Sequence, residues 1–367
     1  MLFETVKEKL IHAIAMAERL VGKKESLPVL SCILFTIKDG GLTIQATNLE
    51  AGITVTVPGE KREDGVLAVP ASIVSQTVRS VSGGTVSLKE DGGNLLVESH
   101  RSRTLIKTIA HNEFPQLSGT DSSAKGFTIA RDVFLTTLQS VSYAASPSMI
   151  RPELGSVLVS FKDGKLVCVA TDSFRLAEKT APKVGDVEDR DILIPLKHAL
   201  ELMHILERMN DEKIELVVDD SQLVMRGEGV QFISRVVDAT FPNYKEIIPK
   251  KFTTEATLLK GEFAEMLRKA RVFSGSEQCV GIHVYPKKKV FDATAQSASI
   301  GEMSDSLDAA LSGDDIDINF HIGYLADCLP MIASDSIVLG FSGHGKPLVI
   351  RGISDQSFTY LVMPLNR

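Results

Sequence analysis

The chain carries one phrase three times. "LFTIKDGGLTIQAT" starts at Leu34, "LVSFKDGKLVCVAT" at Leu158 and "IHVYPKKKVFDAT" at Ile282. Their closing threonines, Thr47, Thr171 and Thr294, are spaced by 124 and then 123 residues. Each phrase alternates apolar and polar residues on both sides of a polar turn, which is the pattern of a half-buried β-hairpin. Lys-Asp-Gly suits the turn because Gly takes positive φ without a Cβ clash. A solenoid repeats every 20–50 residues or so, whereas about 120 residues is a whole domain. The 367 residues therefore make three copies of a domain rather than one large core.

Other features keep the same period. Helix-periodic stretches precede each hairpin: "ETVKEKLIHAIAMAERL", "ARDVFLTTLQSVSYAA" and "LKGEFAEMLRKARVF". A strand running into a second helix follows, at Pro70, at Pro195 and, in the corresponding place, at His321; Pro suits a first helical turn. The pattern predicts helices over residues 4–24, 71–81, 130–146, 196–210, 259–271 and 322–334. Each repeat is read as α+β, two helices on one face of antiparallel strands. Domains are expected at 1–121, 122–249 and 250–367, with linkers near 119–125 and 247–252.

Composition excludes several classes. With 44% hydrophobic and 24% charged residues the chain reads as soluble and globular, and no apolar run reaches the roughly 18 residues of a membrane span. The charged, helix-periodic N-terminus is read as domain rather than secretory signal. Cys32, Cys168, Cys279 and Cys328 lie far apart with no CxxC pair, so they are read as reduced core thiols of a cytosolic protein and not as metal ligands. His198 and His204, six apart on one predicted helix, are read as surface residues. "GFSGHGKP" begins like a phosphate loop, but Pro347 stands where Ser or Thr should follow, and "LVIRGI" then alternates like a strand; it reads as a hairpin turn. The acidic run at 185–191 reads as a solvated connection. No nucleophile elbow or zincin motif occurs, so no cofactor, metal or catalytic residue is expected.

The net charge is −7, yet the predicted helices lean positive. Residues 4–24 hold five basic and three acidic side chains, and residues 259–271 four basic and two acidic. A basic set of helices on an acidic body is the pattern of a surface that meets phosphate. Lys7, Lys24, Arg79, Lys197 and Lys269 are the candidates to face DNA.

"SLPVL" (26–30), "ATNLE" (46–50), "EFPQL" (113–117), "ATDSFRLA" (170–177), "FPNY" (241–244) and the terminal "LVMPLNR" occur in that order across the whole length. In this the chain resembles the bacterial DNA polymerase III beta subunit family, the sliding clamps. The resemblance implies a head-to-tail homodimer, a ring of six domains with helices inside and sheets outside. Double-stranded DNA threads the ring without sequence preference. The ring tethers the replicative polymerase without catalysis of its own. Other implied partners are the clamp loader, further polymerases and repair factors, which dock through a short linear motif. No membrane is implied, and the setting is cytoplasmic and nucleoid-associated. Residues matching the family's client pocket are Arg151, Leu154, Thr171, Ser173, Phe174, Arg175, Leu176, Pro242, Ile247, Leu361, Val362, Met363, Pro364 and Leu365. Phe174 stands where the family commonly has a His, and Met149 and Pro152–Glu153 occupy a loop in which it often places DNA contacts. The family's subunit join falls on Ile106, Val272 and Phe273. Two alternatives remain at this stage. One is a triplicated protein-interaction scaffold that does not encircle DNA. The other is an enzyme using Asp172 as base and Arg175 as anion clamp, which lacks a nucleophile or cofactor motif.

Overall fold

The structure is a computed structural model and describes all residues except 23–25, 39–40, 118–125, 186 and 366–367. Six α-helices alternate with antiparallel strands among the described residues: α1 Lys7–Ala17, α2 Ala71–Ser80, α3 Arg131–Ser142, α4 Leu196–Arg208, α5 Lys260–Phe273 and α6 Ile322–Asp327. No helix is long and apolar enough to cross a membrane. All six predicted helices are present, but the first starts later than its periodicity suggests. Residues Leu2–Val6 form a strand with alternating burial, paired to Thr85–Asp91. Here "LFETV" obeys a period of two as well as it obeys 3.6, and the waiting partner strand decides. Pro70 and Pro195 close strands immediately ahead of α2 and α4 rather than opening the helices.

Two compact units account for the chain, and they do not follow the repeats. One comprises Met1–Leu135 with Lys197–Asp238, the other Thr136–Leu196 with Ala239–Arg367. In the first unit an eight-stranded sheet joins strands of the first repeat to strands of the second. The seam is Ala51–Val57 against Val230–Arg235, with Val55 opposite Val230. In the second unit a nine-stranded sheet joins the second repeat to the third, where Arg175–Lys183 pairs with Phe358–Val362. Each repeat thus lends half its strands to a neighbour's sheet. That caps edges which a free-standing domain would expose.

The hairpins form where the repeats place them. In the second copy Lys162 pairs with Lys165, and Asp163 and Gly164 both take positive φ, 52° and 68°, as a two-residue turn requires. "GFSGHGKP" is a hairpin connection between Ser336–Phe341 and Leu348–Gly352. The short sequence landmarks are packing devices. Val29, of "SLPVL", lies in a small core with Cys32, Leu34 and Ala68, against which Leu27 and Phe114 pack. Leu117, the last residue of "EFPQL", packs on Val217, Val224 and Ile233. Phe241 and Tyr244 of "FPNY" meet edge to face, and the Tyr244 hydroxyl donates to Glu178 at 2.5 Å.

Two side-chain expectations change. Cys32, Cys168 and Cys328 are buried, but Cys279 is only half-buried. His198 is buried, not on the surface. Its Nδ1 lies 2.9 Å from Ser234 Oγ, which is itself 2.8 Å from the Arg235 carbonyl. Burial lowers the pKa of this imidazole against the opposing pull of Glu50. A histidine with a depressed folded pKa stays neutral while the unfolded chain takes up a proton below about pH 6.5. Stability is therefore full above that value and falls as pH drops below it. Melting followed from pH 7.5 to 5.5 should show this fall, and a His198→Asn variant should lose part of the slope.

Candidate functional site

The site grows from one turn made twice. Thr47 Oγ1 donates to the Ala51 carbonyl and accepts from the Leu49 amide, while Asn48 accepts from the amides of Glu50 and Ala51. Thr171 and Asp172 make the same four bonds around Ser173, Phe174 and Arg175. Leu49 and Ser173, at equivalent places, both take positive φ, 77° and 79°. So "ATNLEA" and "ATDSFR" encode a tight turn whose polar side chains replace ladder bonds. The third copy departs from this. Strand Val290–Ser297 runs three residues past Thr294, which instead bonds His283 Nε2 at 2.8 Å.

In the second copy the turn also holds an arginine at the centre of a network. Arg175 Nε donates to Asp172 at 3.0 Å, Nη1 to Asp327 at 2.5 Å and Nη2 to the Tyr143 carbonyl at 2.7 Å. Its guanidinium lies over the Tyr324 ring, 4.6 Å from the centroid. Burial works against the charge, but the Asp327 and Asp172 carboxylates outweigh it and hold the group protonated. Arg175 is thus spent on structure: it braces the turn and is not a free anion clamp. The turn's carboxylate is likewise committed, which removes the base that an enzymatic reading needs.

The matched residues divide by exposure. Phe174, Ile247 and Met363 are exposed, at 59%, 55% and 36%. Pro242 is also exposed, and Pro364 and Leu365 are half-buried. Leu154, Thr171, Leu176, Leu361 and Val362 are buried. Of the matched residues, then, Leu154, Leu176, Leu361 and Val362 are core. Arg151 is exposed and pairs with Glu153 at 3.0 Å. Two backbone hydrogen bonds tie Met363 and Leu365. The Met363 amide donates to the Phe174 carbonyl, and the Leu365 amide to the Asn319 carbonyl, each at 2.8 Å. Asp327, Tyr324, Tyr143 and Asn319 were not legible as part of this place, since Asp327 lies 152 residues from Arg175 and no local pattern links them.

The candidate DNA-facing residues differ in freedom. Lys197 is exposed. Arg79 is mostly exposed, 3.8 Å from Glu18. Lys269 pairs with Asp305 at 2.8 Å. Lys7 donates to the Val81 carbonyl at 2.6 Å, which ties α1 to the end of α2. Lys24 lies outside the described residues. Of the expected join residues, Val272 is 59% exposed and Phe273 half-buried, but Ile106 is only 3% exposed. Ile106 ends strand Ser102–Ile106, and period two turns its side chain inward. Its neighbour Leu105 faces out, 48% exposed. That strand is the last of a five-stranded sheet, and Gly301–Ser306 is the last of a four-stranded one.

Three family models match in sequence along the chain: the N-terminal, central and C-terminal domains of the DNA polymerase III beta subunit, over residues 1–118, 128–243 and 245–366. The chain belongs to the DNA polymerase III beta subunit family. The beta sliding clamp of Bacillus subtilis is 25% identical over 379 residues, covering 100% of this chain and 99% of that protein. The clamp of Escherichia coli K12 is 25% identical over 371 residues and 100% of both chains. The crystal structure of the DNA polymerase III beta subunit from Thermotoga maritima superposes with a TM-score of 0.94 at 26% identity, over 100% of this chain and 99% of that one. The beta-subunit fold, three clamp domains in tandem, accounts for the threefold phrase.

Proposed function

We propose that this beta subunit closes into a homodimeric ring around duplex DNA and receives client peptides at the Phe174–Ile247–Met363 surface. It is a DNA sliding clamp, a non-catalytic processivity subunit of a DNA polymerase. The observation that supports closure is the pair of open strand edges, Ser102–Ile106 and Gly301–Ser306. Antiparallel pairing of one with the other, head to tail, continues both sheets and leaves neither edge free. Leu105 and Val272 supply apolar side chains there, and Phe273 contributes beside them. Ile106 acts from below as core. Lys197, Arg79 and Lys269, and the basic side chains of residues 4–24, then supply weak phosphate contacts. Such contacts hold DNA without reading it and let the ring slide. The setting is the cytoplasm, at the nucleoid. The proposed domain limits are 1–121, 122–249 and 250–367.

The decisive experiment is topological. Loaded on nicked circular DNA, the protein should stay bound until the circle is linearised and then slide off the ends. Retention after linearisation would identify a groove binder instead.

The client surface suits a short extended peptide whose apolar side chains cover Phe174, Ile247 and Met363, with few polar contacts to orient it. The polymerase alpha subunit, the clamp loader and repair factors are the proposed clients. Deleting Met363–Arg367 would also remove two backbone hydrogen bonds, so point variants are the cleaner probe. Phe174→Asp and Met363→Ala should each cost about 2 kcal/mol in affinity for a labelled polymerase C-terminal peptide, roughly thirtyfold. Melting should be unchanged, because both side chains are exposed. Unaltered affinity in both variants would place the client site elsewhere.

A further inference from the structure

A cavity of about 340 Å3 lies between α5 and the end of α6, within the third repeat. Its floor is apolar: Ala264 and Leu267 from α5, Leu329 and Pro330 from the segment after α6. Its charged lining is of one sign, Lys260, Arg268 and Arg271, with no carboxylate among the lining residues. The cavity of about 460 Å3 in the first unit differs, because Glu8, Asp211 and Glu228 line it together with Lys9 and Arg208.

The three cations are not equally free. Lys260 donates to the Ile332 carbonyl at 2.7 Å. Arg268 lies 3.6 Å from Glu265, both well exposed, a pair of small strength. Arg271 is exposed and makes no ion pair among the described residues. Gly261 gives the cavity its mouth. It sits in the first turn of α5, needs no positive φ, and a Cβ added there would meet nothing within 4 Å. Neither packing nor backbone geometry requires glycine here, and a larger side chain at this lining position would narrow the cavity.

We propose that this cavity binds a small amphipathic anion, an aryl or alkyl phosphate or carboxylate. Its apolar body would rest on Leu267 and Leu329, and its head would meet Arg271 and Arg268. The volume falls within the range of small-molecule sites, which are mostly apolar with a few convergent polar groups. Arginine forks suit phosphate and carboxylate oxygens. This inference does not depend on the client surface or on ring closure.

The test uses 1-naphthyl phosphate as probe, titrated against the full chain by fluorescence, with inorganic phosphate and 1-naphthol as separate arms. Saturable binding is expected for the ester, at least tenfold tighter than for either half alone. Arg271→Glu should weaken it at least tenfold. Gly261→Leu, which fills the mouth, should weaken it similarly while the melting temperature holds or rises. A melting temperature that does not fall separates loss of the site from loss of the fold. Absence of saturable binding would overturn the proposal, as would naphthol binding as tightly as the ester. Full affinity in Gly261→Leu would place the probe elsewhere and overturn it too.

Discussion

An Arg175→Ala variant should lose about 3 kcal/mol of stability, because it strands two carboxylates and a carbonyl that now share one guanidinium. Arg175 and Asp172 are nearly buried, with side chains 13% and 12% exposed, so solvent repairs little of the loss; Asp327, 43% exposed, rehydrates more readily. For a unit of this size the loss corresponds to roughly 6–12 °C in melting temperature. The effect should extend to function. Without the brace, the turn that presents Phe174 keeps its Thr171, Asp172 and Met363 bonds but loses its tie to Asp327 and Tyr143. Peptide affinity should therefore fall as well. Arg175→Lys should recover part of the stability, since one ammonium cannot serve three acceptors set in a fork. A variant as stable as the parent would mean that the network is solvated and idle.

The second large effect concerns the ring. Leu105→Glu and Val272→Glu each place a carboxylate at a proposed apolar join while leaving the cores of their own sheets untouched. Each should shift sedimentation at micromolar concentration from a dimer to the 39.8 kDa chain, with little change in circular dichroism. Ile106→Glu is the informative contrast. Ile106 is core, so that variant should melt early rather than merely dissociate. A dimer that survives both Leu105→Glu and Val272→Glu would remove these edges from the assembly.

Much of the fold was legible in the sequence because its signals are local. Hairpin alternation, the turn glycine at 164 and helix periodicity each lie within about 15 residues, and a threefold phrase repeats the evidence. The turn at Thr171–Arg175 was visible as a phrase, although its meaning as a side-chain-bonded turn needed coordinates. Face assignment was harder. Ile106 and Leu105 are adjacent, and a shift of one residue in strand register exchanges inside for outside. Leu2–Val6 fits two periods, and only pairing with Thr85–Asp91 settles it.

The sequence by itself determined that there are three domains, what each is made of, and where its hairpins turn. Tertiary structure alone decided that the sheets run on from one repeat into the next, with Val55 opposite Val230 and Arg175 opposite Val362. It alone brought Asp327, Tyr324 and Tyr143 to Arg175, and it alone buried His198 against Ser234. The physical reason is range. Backbone propensity and periodicity act over a few residues, and a chain can write them in its local order. Edge pairing and buried charge networks join residues more than a hundred positions apart. Their partners are chosen by which strand edge or carboxylate remains unsatisfied once the local elements have formed.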